Sequence, residues 1–189
     1  MRTGHLFVIS GPSGVGKGTI IRELFARPNA DELWFSVSAT TREPRESEKE
    51  GIAYYFVNDS TFDELVATDG MLEWANVYRE RYGTPRASVE DRLATGLDVI
   101  LDIDTQGAAQ VVEHMPEAIT IFIEPPSLGE LERRIRMRGA NTEEQIEFRL
   151  GKAKDEIAQK ERYNYTVVND SLETAVAQVA AIVEENRCR

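Results

Sequence analysis

The segment Gly11-Pro12-Ser13-Gly14-Val15-Gly16-Lys17-Gly18-Thr19 carries the clearest chemical signal in the chain. Its glycines let backbone N–H groups converge on phosphate oxygens, and Lys17 is spaced to reach the outer phosphates of a nucleoside triphosphate. An apolar run from Leu6 to Ser10 precedes it and a helical pattern follows, which is the strand–loop–helix setting that a P-loop requires. One position departs from the common pattern. Gly18 stands where many P-loops place a magnesium-binding hydroxyl, and the hydroxyl comes one residue later at Thr19. The strand end Val99-Ile100-Leu101-Asp102-Ile103-Asp104 offers two acids on one face, and Asp102 is the candidate for holding Mg2+ through water. For either acid a helix cap or a solvated turn is the plainer alternative.

The acceptor side is less explicit. A kinase acting on a hydroxyl usually needs a carboxylate base, and the sequence contains no protein-kinase catalytic loop. An acceptor that is already anionic needs no base. Between Thr40 and Gly83, Arg42 and Arg45 suit an incoming phosphate, with Tyr54 and Tyr82 as phenolic donors. Taken singly, arginines in a charged loop are usually solvated and strand tyrosines usually pack. Arg134 and Arg138 lie one helical turn apart, with Arg149 on the next helix, yet a Glu130–Arg134 pair at i,i+4 accounts for that spacing equally well.

These residues need a scaffold, and the hydrophobic pattern supplies one. Strands are expected over Leu6 to Ser10, Trp34 to Ser38, Val99 to Ile103, Ile119 to Ile123 and Tyr165 to Val168. Helices are expected over Lys17 to Arg27, Val89 to Thr95, Gln106 to Met115 and Leu172 to Asn186. The alternation predicts an α/β fold with a mainly parallel five-stranded sheet flanked by helices. Two excursions interrupt it. Residues 39–83 read as a small mixed α/β insertion, with strand-like pieces at Tyr54 to Val57 and Met71 to Tyr78 and a short helix after Ser60. Residues 127–149 read as a helical lid, one helix reaching Gly139 and another starting near Thr142. The core is then 1–38, 84–126 and 150–189, within one domain spanning 1–189.

Composition sets outer bounds. The chain of 189 residues, 41% hydrophobic, is long enough for one domain with a full core. A net charge of -11 repels nucleic-acid backbones and anionic membranes, so neither is an expected partner and any anionic substrate must be captured locally. No apolar run approaches membrane-spanning length, and the expected setting is the cytoplasm. Cys188 has no internal disulfide partner, and His5 and His114 form no metal cluster with it.

Order and spacing together carry a resemblance to the guanylate kinases, enzymes that phosphorylate GMP from ATP. It rests on GPSGVGKGT at Gly11, SVSATTREPR at Ser36, GIAYYF at Gly51, LEWANV at Leu72, YGTP at Tyr82, ILDIDTQG at Ile100, RRIRMRGANTEEQIEFRL at Arg133 and VVND at Val167. The resemblance implies that Arg42, Arg45, Tyr54 and Tyr82 hold the GMP phosphate while Ser38, Glu73, Thr84 and Asp104 surround the guanine. It also implies that Arg134, Arg138 and Arg149 close over the ATP phosphates and that Asn169 contacts adenine. Guanine offers N1–H and a 2-amino group to a Glu73 carboxylate and an O6 acceptor to Ser38 or Thr84. Adenine offers none of these, and such mismatches discriminate by roughly 10⁴. The implied reaction is in-line transfer of the ATP γ-phosphoryl group to GMP, giving ADP and GDP with magnesium bound, through positioning and charge neutralisation by Lys17, Arg42, Arg134, Arg138 and Arg149. Ala53 and the segment Arg79-Glu80-Arg81 depart from the family pattern at the rim of the GMP pocket. Two alternatives fit less well: a protein-binding scaffold that has lost nucleotide chemistry would be free to lose Lys17, Arg134, Arg138 and Arg149, all retained here, and a regulatory P-loop NTPase would leave Arg42, Tyr54 and Glu73 without a purpose.

Overall fold

Strand β1 (Leu6–Ser10) is buried at every residue, as an uninterrupted Leu-Phe-Val-Ile run must be when helices cover both faces of a sheet. It lies at the centre of the parallel five-stranded sheet in the computed structural model, which describes residues 2–77, 79–137 and 142–187. Its partners are β2 (Leu33–Phe35), β7 (Asp98–Asp102), β8 (Ile119–Glu124) and β9 (Tyr165–Val168), in the order β2-β7-β1-β8-β9. Side chains alternate across the sheet. Phe7 and Ile9 face α1 (Lys17–Phe25), α5 (Leu128–Met137), α6 (Glu143–Ile157) and α7 (Leu172–Arg187) in the larger core. Leu6 and Val8 face α3 (Arg86–Ala94) and α4 (Thr105–His114) in a second core.

The first excursion is a separate four-stranded sheet of order β4-β3-β6-β5. It contains β3 (Ala39–Thr40), β4 (Tyr55–Phe56), β5 (Met71–Val77) and β6 (Glu80–Pro85), with α2 (Asp59–Ala67) packed on it through Phe62. Asn58 caps α2 by accepting from Thr61 N at 2.8 Å. In the second excursion Thr142 and Gln145 form the reciprocal capping box that starts α6, as the Thr-Glu-Glu pattern predicts.

Several boundaries differ from the sequence expectation, each for a local reason. The expected strand Trp34 to Ser38 splits: Ser36 N still donates to Ile100 O at 3.0 Å, after which the chain leaves the sheet edge and β3 joins β6. β7 sits one residue earlier than expected, so Asp104 is not a strand residue beside Asp102 but the N-cap of α4, accepting from Gln106 N and Gly107 N. α1 stops at Phe25, two residues short of Arg27, and α3 starts at Arg86. β4 omits Tyr54 and Val57.

The sequence pattern predicts no strand at β6, because Glu80-Arg81 and Pro85 make a poor strand on propensity alone. Pairing to both β3 and β5 forms it, and it carries Thr84, so the second sheet runs past residue 83. Arg81 reinforces this strand: Nη2 donates to Asp59 Oδ1 at 2.6 Å and the guanidinium lies 4.6 Å from the Phe62 ring centroid. The departure at Arg79-Glu80-Arg81 therefore ties β6 to α2. α6 continues to Ile157, eight residues beyond the expected lid limit at 149. The expected helix end at Gly139, the lid residue Arg138, the strand end Tyr78 and Cys188 lie outside the described residues.

Candidate active site

The P-loop leaves the C-terminal end of β1, where open parallel sheets bind ligands, and enters α1 without a side-chain cap or an acidic residue in its first turn. The positive end of the helix is therefore left without an acidic side chain and suits an anion. Gly16 has φ 105°, a left-handed conformation that suits glycine, and a Cβ there would stand 2.6 Å from Asn169 Nδ2. Asn169 is 6% exposed, and its Nδ2 donates to Val15 O at 2.7 Å. Its side-chain amide thus braces the loop, while the residue also lines a cavity of about 350 Å³ with Gly14, Thr19, Arg134 and Met137. Arg134 makes the expected i,i+4 bond to Glu130 at 2.8 Å and also reaches the loop, donating to Val15 O at 3.3 Å and to Asn169 O at 3.0 Å. The ion pair and the placement of Arg134 beside the loop are thus compatible.

On its other side the loop borders a cavity of about 470 Å³ whose wall includes Ser13, Lys17, Thr19, Asp102 and Asp104. Lys17 Nζ donates to Gly11 O at 2.6 Å. Burial lowers the Lys17 pKa, while Asp102, Glu156 and Asp104 oppose that fall. Desolvation pushes the Asp102 carboxyl up, with Lys17 opposing. Glu156, which sequence reasoning missed, is 5% exposed and lies 3.6 Å from Lys152 Nζ, which is also 3.6 Å from Asp104. Burial raises its pKa, and Lys152 and Lys17 oppose the rise. Helical spacing held the clue: Glu156 shares a buried stripe of α6 with Ile146 and Ala153.

The second sheet presents the residues that the sequence places on the acceptor side. Glu73 on β5 is 8% exposed, and its Oε1 accepts from Thr84 Oγ1 on the paired strand β6 at 2.7 Å. Burial raises the Glu73 carboxyl, Thr84 opposes this, and the Asp104 charge adds to the rise. The two sites adjoin at the start of α4: Gly107 packs against Glu73 and donates through its N–H to Asp104, which also lines the P-loop cavity. Tyr54 and Tyr82 stack edge-to-face at 5.8 Å, and the Arg42 guanidinium lies 5.4 Å from the Tyr54 ring centroid. Arg42 Nη2 donates to both oxygens of Glu48, at 2.8 and 2.9 Å, and the Arg45 backbone N–H donates to Glu48 at 2.8 Å. Glu48 is a second residue that sequence reasoning passed over, its signal hidden among the many charges of that loop. The Arg42 contact holds the Glu48 carboxyl below its usual range.

The guanylate kinase family model matches residues 3–186. A guanylate kinase from Synechococcus sp. (strain CC9902) is 49% identical over 93% of this chain and 93% of its own length. One from Clostridium tetani is 48% identical over the whole chain and 89% of its own length. The chain belongs to the guanylate kinase family. Among solved structures, a guanylate kinase from Anaplasma phagocytophilum superposes with a TM-score of 0.75 at 33% identity, covering all of this chain and 88% of that one. A shikimate kinase from Bacteroides thetaiotaomicron shares the fold alone, with a TM-score of 0.51 at 14% identity.

Within this guanylate kinase fold, the residues expected from sequence fall into three groups. The P-loop, Lys17, Asp102 and Asp104 share one cavity. Arg134 and Asn169 lie on the opposite side of the loop. Arg42, Tyr54, Tyr82, Glu73 and Thr84 belong to the second sheet and its leading loop, with Ser38 just before β3 accepting from Tyr55 N through its carbonyl. Arg45 is exposed, and its backbone N–H and C=O both bond to Glu48. Arg149 lies on α6, away from the wall of the P-loop cavity.

Proposed function

We propose that this chain transfers the γ-phosphoryl group of ATP to GMP, releasing ADP and GDP. The observation that supports this reading is the buried Glu73–Thr84 pair packed against Gly107 at the start of α4, the helix that Asp104 caps at the border of the P-loop cavity. A carboxylate suited to reading a base and a triphosphate loop thereby meet at the start of one helix. Guanine N1–H and the 2-amino group are the donors that fit Glu73. Thr84 has a single hydroxyl proton, and it is committed to Glu73, which leaves Ser38 as the hydroxyl for guanine O6.

In the proposed reaction a GMP phosphate oxygen bonds to Pγ as the bond from Pγ to the ADP oxygen breaks, with no covalent intermediate on the enzyme. The acceptor is anionic and needs no base. The chain contributes position and charge: P-loop amides and Lys17 on the donor phosphates, Arg134, Arg138 and Arg149 closing over them, and Arg42, Arg45, Tyr54 and Tyr82 on the acceptor phosphate. The second sheet and the α5–α6 hairpin act as covers that keep water from the phosphoryl group.

Magnesium fits the residues present in one way. Gly18 provides no hydroxyl, and among the described residues no group of three His, Cys, Asp or Glu side chains is arranged to hold a metal. Asp102 in the cavity with Lys17 and Thr19 suits an ion carried on the triphosphate and hydrated toward the protein. Bound there, the ion would neutralise phosphate charge. The test is ADP formation by purified protein with ATP, magnesium and a panel of nucleoside monophosphates. Preference for GMP is expected; preference for AMP or UMP, or no ADP release with any acceptor, refutes the proposal.

A further inference from the structure

Among the described residues no strand lies beside the outer edge of β5, where the second sheet ends. An edge strand leaves backbone N–H and C=O groups unpaired. At Trp74 both groups are taken by one side chain of α4: Gln110 Oε1 accepts from Trp74 N at 3.1 Å, and Gln110 Nε2 donates to Trp74 O at 3.2 Å. A primary amide has the donor and acceptor of a peptide group, so Gln110 supplies the two bonds that a neighbouring strand residue would make. One turn further along α4, His114 Nδ1 lies 2.9 Å from Leu72 O. One turn earlier, a Cβ at Gly107 would stand 3.0 Å from Glu73 Oε2 and 3.4 Å from its Cδ.

Gly107, Gln110 and His114 are separated by three and four residues and so form one stripe on α4. They meet Glu73, Trp74 and Leu72, three consecutive residues of β5. The same helix opens on Asp104, whose carboxylate caps it by accepting from Gln106 N and Gly107 N. One rigid helix therefore sets the separation of the two acids assigned to the guanine.

We infer that Gln110 is a positioning residue for GMP recognition. Its amide bridge to the Trp74 backbone, together with the missing Cβ at Gly107, seats the Glu73 carboxylate against the start of α4 in register with Asp104. The inference rests on the GMP reading given above. Misplacing a recognition group by about 1 Å costs as much as 10²-fold, so loss of the bridge should be visible in GMP parameters and not in those of ATP.

The test is steady-state kinetics of Gln110→Met, which keeps side-chain length and removes both bonds, and of Gly107→Ala, which crowds Glu73 from the helix side. Both variants are expected to raise the KM for GMP by about 10-fold or more, with the ATP KM within about 2-fold of wild type. The preference for GMP over inosine monophosphate, which lacks the 2-amino group, should shrink in both. An unchanged GMP KM in Gln110→Met overturns the inference. So does a joint rise of GMP and ATP KM with a lowered Tm, which marks general loosening. Wild-type protein that prefers another monophosphate refutes the GMP reading and this inference with it; wild type that uses GMP alongside an indifferent Gln110→Met refutes the inference alone.

Discussion

Replacing Glu73 with glutamine should separate stability from activity. Glu73 is 8% exposed, and its Oε1 accepts from the Thr84 hydroxyl at 2.7 Å. In the proposed complex its carboxylate also accepts two guanine N–H groups. Hydrogen bonds to a charged partner contribute about 1.5–3 kcal/mol each. Glutamine keeps the shape and one neutral acceptor but turns the other oxygen into a donor, which opposes either the 2-amino group or the Thr84 hydroxyl. Losing one charged bond and weakening the second costs about 3–4 kcal/mol, a fall of about 10²- to 10³-fold in kcat/KM for GMP.

Stability should move the other way. Burial raises the Glu73 pKa above its unfolded value. Between the two values the folded protein binds more protons than the unfolded chain, so stability declines as pH rises through this window and the penalty is complete above it. Glu73→Gln removes the penalty: its Tm at pH 8 should equal or exceed that of wild type, and any advantage should vanish as pH falls below the ordinary carboxylate range. Coupled kinetics with GMP and ATP varied separately, and thermal melts across pH, measure both effects. A loss of GMP efficiency below tenfold, or an ATP KM rising in parallel, refutes the recognition role; a lower Tm at pH 8 refutes the burial argument.

Gly16→Ala forces an L-residue into the left-handed region, at a cost of about 1–2 kcal/mol, and drives its Cβ against Asn169. Calorimetry should show weaker ATP binding, part of it recovered in Gly16→Ala/Asn169→Ala, and strictly additive losses would count against the contact. Gly18→Ser meets no atom within 4 Å of the new Cβ. Its Tm should hold or rise by about 1–2 °C, given about 0.5 kcal/mol of helix propensity, and half-saturation by magnesium should need less metal. A lower Tm with unchanged magnesium dependence would contradict this. Asp98 is fully buried between Arg2 and Arg187, at the end of β7 opposite Asp102. Asp98→Ala removes the buried partner of Arg187, which keeps Glu32 and Glu184, and leaves His5 N without its acceptor, at a cost of about 1–3 kcal/mol that lowers Tm by about 2–12 °C while both substrate KM values stay near wild type; altered KM values would argue against that separation.

Local chemistry made much of this protein legible. The P-loop is a contiguous segment whose function depends on residues adjacent in sequence, so its glycines, Lys17 and the flanking strand and helix declare it together. The parallel sheet was equally readable, because strands buried on both faces are continuous apolar runs such as Leu6 to Ser10 and Ile119 to Ile123. Ordered motifs across the chain carried the family.

Tertiary structure decided whatever depends on residues distant in sequence. Glu80-Arg81 reads as surface until pairing with β3 and β5 makes it a strand. Asp104 looks like the strand neighbour of Asp102 until the end of β7 turns it into a helix cap. Glu73 alternates like an exposed residue of an edge strand, yet α4 covers that edge and buries it. The physical cause is common to all three. Backbone propensity and hydrophobic period act over a few neighbours, whereas desolvation and hydrogen-bond pairing depend on what the fold brings alongside.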